Sequence, residues 1–176
     1  LSLAWQAKFY YANALKYAEK LVEKSSRGEF EHRNRIAHLE LAGLLDLTGQ
    51  LQGAKAMYLK GLSLSTRAKV NYHAGQFLSA LLLRTLFENN VETAEQYLRQ
   101  LESIDSAKQF SYETLLGNAL VAYYKGNKQL SDQYFSRLDR EITTSEFVLP
   151  YWKSTISERD QNWKELVNHA ESLRKM

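Results

Sequence analysis

The sequence predicts an all-α protein, a stack of antiparallel helix hairpins with about nine helices in 176 residues. Three observations carry this expectation. One proline and eight glycines are too few for the turns of an all-β chain. Apolar residues recur at helical spacing. A turn followed by a small, a large and another small or apolar residue on one helix face returns along the chain, as a stack of similar units requires. It is clearest as Gly49 with Ala54, Tyr58 and Gly61. It returns as Asn90 with Ala94, Leu98 and Leu101, as Gly126 with Ser131, Phe135 and Leu138, and faintly as Asn162 with Leu166, Ala170 and Leu173.

A first helix is expected over Ser2–Lys24, with Ala7, Tyr11, Ala14, Ala18 and Leu21 as its apolar stripe, ended by Ser25-Ser26-Arg27-Gly28. A second runs from about Glu29 to Leu47, and Gly49 suits the left-handed position that closes it. Leu51–Leu64 forms the third. Ala68–Phe87 and Val91–Ile104 follow, joined through Glu88-Asn89-Asn90. Ala107–Tyr124 and Lys128–Glu141 come next, joined at Lys125-Gly126-Asn127. Thr143-Thr144-Ser145 offers a cap for a short helix to about Ser157, and Asn162–Arg174 is the last. The loops are short, so sequential helices should pack antiparallel. No linker divides the chain, which reads as one domain, 1–176. Residues 1–28 form a leading or capping helix, and the hairpins are 29–66, 67–106, 107–142 and 143–176.

Over Ala37–Leu62 the chain resembles the tetratricopeptide repeat. Leu41 and Ala42 match the large–small pair of that family's first helix, Leu45 the bulky position after it, and Gly49 the turn glycine. Ala54, Tyr58 and Gly61 match the small–aromatic–small face of the second helix. The resemblance implies a right-handed α-solenoid. Equivalent small or apolar positions lie 40, 37 and 35 residues apart along the chain, longer than the family's ~34. In this the units look like the stretched helical repeats of MalT-like bacterial regulators.

Composition narrows the chemistry. No cysteine is present, which excludes disulfides and thiolate sites. Of the four histidines, His32 closes a Glu29-x-x-His32 spacing that has no second copy, so no metal site or cofactor is expected. Phosphate-cradling glycine loops and nucleophile elbows are missing, and the chain reads as a non-enzyme. No apolar run approaches the ~20 residues of a membrane span. The net charge of +3 sits in residues 1–35, where seven Lys or Arg face four Glu. A solvated helix face explains it, because Lys16, Lys20 and Lys24 alternate with Glu19 and Glu23. A nucleic-acid- or membrane-associated helical module using that basic end is the alternative. The chain starts at Leu1 without a signal-peptide pattern and is expected to be a piece of a longer, cytoplasmic protein, or a periplasmic domain of an anchored one.

The resemblance turns the first helix of each hairpin toward an inner face. By that register Leu39, Gly43 and Asp46 line it, then Ser79, Leu83 and Leu86, then Leu116, Leu120 and Tyr123. Leu39 and Gly43 stand where co-chaperone members carry the Lys and Asn that clamp a peptide carboxylate. A hydrophobic peptide, an amphipathic helix or a neighbouring domain is therefore the expected partner. The other possibility is that these residues are closed core. Trp5, Phe9 and Tyr10 form a second expected docking patch, for a preceding segment or for a homodimer mate. The function expected is a protein-interaction or sensory module of a bacterial regulator.

Overall fold

Four of the helix turns close in the same way. The computed structural model describes residues 2–26, 31–105 and 108–141. Seven helices occupy these residues: α1 (Ser2–Ser26), α2 (Glu31–Leu47), α3 (Leu51–Arg67), α4 (Asn71–Phe87), α5 (Val91–Ile104), α6 (Ser111–Tyr124) and α7 (Lys128–Glu141). No strand is present among them. The two further helices expected within 143–174 lie outside the described residues.

One residue with positive φ stands between each pair of successive helices from α2 onward: Gly49, Lys69, Asn89, Lys108 and Gly126. They lie 20, 20, 19 and 18 residues apart. At Gly49, Lys69, Asn89 and Gly126 the next N–H reaches back to the carbonyl five residues earlier: Gln50 to Leu45, Val70 to Ser65, Asn90 to Thr85 and Asn127 to Ala122, at 2.8–3.0 Å. This Schellman closure satisfies carbonyls that a helix end leaves orphaned. At these four turns the carbonyl of the residue after the left-handed position accepts the backbone N–H of a small residue in the following helix: Ala54, Ala74, Ala94 or Ser131. Asn90 and Asn127 also cap their helices, accepting from Thr93 N–H at 3.2 Å and Leu130 N–H at 3.1 Å.

Turn and core contact therefore form one module. Four residues past the small one stand Tyr58, Leu78, Leu98 and Phe135, and seven past it Gly61, Leu81, Leu101 and Leu138; all are buried. The helix α4, which the sequence pattern did not single out, obeys the same rule through Ala74, Leu78 and Leu81. Two expected boundaries move accordingly. Helix α3 runs on to Arg67, and α4 starts at Asn71 rather than Ala68, because Lys69 takes the left-handed turn at φ 55°. Lys108 at φ 53° likewise delays α6 to Ser111, while the Asp105 carboxylate accepts the Phe110 N–H at 3.1 Å.

Sequential helices pack on one another from α1 to α5, and α2 also touches α4. Lys55 at the start of α3 bonds Glu88 just past α4, so these two run antiparallel. Arg35 and Asp46, early and late in α2, meet His73 and Arg84, early and late in α4, so α2 and α4 run parallel. Close approach comes from glycine. A Cβ on Gly61 would sit 2.1 Å from the Phe77 ring, and one on Gly75 would sit 2.2 Å from Phe110. On Gly117 a Cβ would meet Leu82 at 2.6 Å and Leu98 at 2.9 Å. Phe77 is fully buried in a cluster with Ala18, Leu41, Leu45, Ala54 and Tyr58. Leu78, Leu101 and Phe110 form a second cluster, and Leu62 and Tyr97 touch both.

The buried side of α1 is Ala18, with Leu15 and Val22 against the core. Tyr11 and Leu21, expected there, are 41% and 39% exposed. The stripe is rotated because a helix rich in alanine and tyrosine offers two apolar rows, and only contact with α2 selects one. The chain divides after Gly117 into two compact units, 1–117 and 118–176. In the second, Leu120, Ser131, Phe135 and Leu138 are buried.

Gly61→Ala should cost about 1–3 kcal/mol by overpacking against Phe77, outweighing the ~1 kcal/mol gain in helix propensity. Gly43→Ala meets nothing within 4 Å and should stabilise by up to ~1 kcal/mol. Urea denaturation of both variants measures the contrast.

Candidate functional site

The α2–α4 seam carries most of the polar chemistry of the first unit. Along α2, Arg35, Leu39, Gly43 and Asp46 fall on one helix face by their spacing of four, four and three. Leu39, Gly43 and Asp46 are half-buried, as are Ser79 and Leu83 on α4. The Ser79 hydroxyl is tied to the Gly75 carbonyl at 2.9 Å. Leu86, by contrast, is 1% exposed and belongs to the core. In α6, Leu116 and Leu120 are 2% and 1% exposed, while Tyr123 is half-buried. The run Leu115-Leu116-Gly117-Asn118-Ala119-Leu120-Val121-Ala122 is apolar almost all round, so spacing alone could not separate an inner row from a core row there.

One end of the seam is a closed ionic network. Arg84 Nη1 donates to Asp46 Oδ1 at 2.6 Å and Nε to Glu88 Oε1 at 3.3 Å, and Lys55 Nζ meets Glu88 Oε2 at 2.7 Å. Glu88 is held below the usual carboxylate range, chiefly by its bond to Lys55. Burial, then the Asp46 carboxylate, pushes the Tyr58 phenol well above its usual range. Asp46 is thus committed to Arg84 within the chain.

The other end is built differently. Arg35, 7% exposed, donates through Nε to His73 Nδ1 at 3.2 Å, which places the His73 proton on Nε2. His32 lies over His73 with ring centroids 5.0 Å apart. Tyr72 stands beside His73 and Phe110 at 5.6 and 6.0 Å. Further along α2, His38 is fully buried, and its Nδ1 faces the Asn34 carbonyl at 2.8 Å. His38 Nε2 has no hydrogen-bond partner. Burial lowers both His38 and His73 from the ordinary imidazole value; Arg35 and then His32 lower His73 further. Sequence reading missed Arg35, His73, Arg84 and the exposed Tyr72 and Phe87. Only the position of Arg35 one turn before Leu39 was a visible signal.

A second surface lies where α1 meets the α2–α3 turn. A groove of about 680 Å³ there is lined by Tyr11, Leu15, Lys16, Glu19, Leu47 and Gln50 among others. Tyr10 and Tyr17 beside it are 72% and 73% exposed. The side chains of Trp5 and Phe9 lie outside the described residues. Among the described residues no three His, Asp or Glu side chains are grouped to hold a metal ion. No helix among them is long and apolar enough to cross a membrane.

Helix hairpins closed by left-handed turns, with small residues under large ones, define a tetratricopeptide-like helical-repeat fold. That fold is shared with a solved crystal structure, the apo form of RapI, at a TM-score of 0.73 and 19% identity. The match covers 96% of this chain and 61% of that one, so the chain spans under two thirds of RapI. No family model matches the sequence. No curated protein matches it either.

Two outcomes follow from the seam. Imidazole ¹⁵N spectra should show opposite tautomers, Nδ1–H in His38 and Nε2–H in His73, both rings neutral to below the ordinary imidazole range. The stability they contribute is present above pH 6.5, the unfolded value, and is lost as the pH falls through the folded values. An Asp46→Asn and Arg84→Gln double-mutant cycle should give a coupling of about 1 kcal/mol in chemical denaturation.

Proposed function

We propose that this chain is a non-catalytic protein-interaction module that seats an apolar peptide or helix on the α2–α4 inner face. The observation that carries the reading is the half-exposed row of Leu39, Gly43, Ser79 and Leu83 on two parallel helices that sequential packing already holds rigid. A rigid apolar face binds with little ordering cost on the protein's side. Tyr72 and Phe87, 54% and 55% exposed on the same helix α4, add large apolar surface. Leu116 and Leu120, buried as they are, support packing more than contact. The stretched, MalT-like regulator type and the right-handed superhelix remain part of this proposal, as does a cytoplasmic setting. A polyanion-binding role for α1 has less support, because the exposed Lys16, Lys20 and Lys24 alternate with Glu19 and Glu23.

Selection of displayed peptides on the immobilised chain tests the reading. Apolar sequences should be enriched on the wild type and lost on Leu83→Glu, whose melting curve should stay within a few degrees of wild type. Equal enrichment on both would show that the seam is not the binding face.

A further inference from the structure

The crevice between α1 and the α2–α3 turn departs from its counterpart one unit along. Helices α2 and α4 match residue for residue 40 positions apart, Glu31–Leu47 with Asn71–Phe87. At the same offset Ala18 of α1 and Tyr58 of α3 are buried in one cluster, and Val22 and Leu62 both pack against it. Leu15 and Thr48 therefore stand in the first unit where Lys55 and Glu88 stand in the next. Lys55 Nζ and Glu88 Oε2 meet at 2.7 Å, so an ion pair spans the crevice between α3 and the end of α4. Leucine and threonine cannot make that bridge. The Thr48 hydroxyl is turned to its own helix, donating to the Leu44 carbonyl at 2.9 Å and accepting from Gln50 Nε2 at 3.2 Å. Where the bridge would run, the first unit has the groove of about 680 Å³.

We propose that this groove is a binding site for a small uncharged molecule with an aromatic or branched aliphatic body. Its volume lies within the ~300–1,000 Å³ that small-molecule sites occupy. Its walls are apolar: Tyr11 is 41% exposed, Leu47 is 69% exposed, and Leu15 is half-buried at the floor, packed against the core. Covering such surface is favourable for any apolar body that fits. The charges at the rim select against ions. Lys16 and Glu19 both line the groove and stand three residues apart on α1, so they are neighbours of opposite sign. An anion drawn to Lys16 is repelled by Glu19, and a cation the reverse. The walls are also preformed. Leu15 is held by the core, and the turn carrying Thr48 and Gln50 is closed by the Gln50 N–H bonded to the Leu45 carbonyl at 2.8 Å. A ligand therefore meets little ordering cost on the protein's side. The groove shares no residue with the α2–α4 face, so the two readings stand or fall separately.

The test titrates the 176-residue chain with indole, indoleacetate and tryptamine: a neutral, an anionic and a cationic probe built on one ring. The Leu15 and Leu47 methyl signals and the Tyr11 ring are followed by NMR. Indole should shift them saturably, in the millimolar range for so small a probe. Neither charged analogue should bind more than about twofold tighter, since an exposed rim charge is worth little. Leu15→Lys combined with Thr48→Glu copies the bridge of the next unit into the groove. The double variant should keep the wild-type melting curve and weaken indole binding by about tenfold or more. Because Leu15 touches the core, Leu47→Ser provides the second arm: at an exposed position it leaves the core untouched and should weaken indole severalfold. Shifts that never saturate, or indole binding unchanged in Leu47→Ser, would overturn the site. A charged analogue binding tenfold tighter than indole would overturn the uncharged class. Self-association in sedimentation, with the Leu15 and Leu47 signals moving in step with concentration, would overturn the ligand site in favour of an interface between copies of the chain.

Discussion

Phe77 lying on Gly61 is the contact on which the packing of the first unit depends. A Phe ring buries about 150–250 Å², more than any aliphatic residue of the core. It can be buried there only because α3 has no Cβ at position 61. The same device recurs with Phe110 on Gly75 and with Leu82 and Leu98 on Gly117. Each places a large side chain on the bare backbone of a helix to which it does not belong. Backbones approach closely, and the helices above and below inherit a common spacing. The left-handed residue at each turn supplies the complementary constraint. It fixes where a helix stops and how many residues later the next small side chain arrives, so turn geometry and core packing are set together.

That coupling explains the placement of the seam. Packing of α3 between α2 and α4 brings two helices of the same direction side by side, with equivalent positions level. Arg35 then meets His73 and Asp46 meets Arg84, each pair 38 residues apart in sequence. Parallel, level helices thus bring pairs of side chains together at both ends of the seam.

The polar residues of the seam separate into two physical states. At the Asp46 end all charges are partnered, and the interaction contributes to the fold. At the Arg35 end a largely buried guanidinium donates to a neutral ring, with the exposed Glu31 carboxylate 3.7 Å away. Holding a charge in that condition costs stability. The difference between these ends is invisible in composition, which counts both arginines alike.

Much of the fold was legible in the chain. Helix existence, the bounds of α5 and α7, the turns at Gly49 and Gly126, and the small–large alternation all follow from spacing and from glycine chemistry, which are local. The turns at Lys69 and Lys108 were not, because lysine in the left-handed region carries no mark; the surrounding packing imposes it against a local cost of ~1–2 kcal/mol. Nor was the rotation of α1, where alanine and tyrosine left two rows equally apolar. For the site, Leu39, Asp46, Ser79 and Leu83, expected on an inner face by register, are half-buried on α2 and α4. Leu86, Leu116 and Leu120 show the limit, because an apolar residue reads the same whether it faces a groove or a core. The sequence by itself determined which segments are helices and where small residues permit close approach. Only the tertiary structure decided which charges meet, because partners 38 residues apart are matched by the geometry of stacking and by nothing in their neighbours.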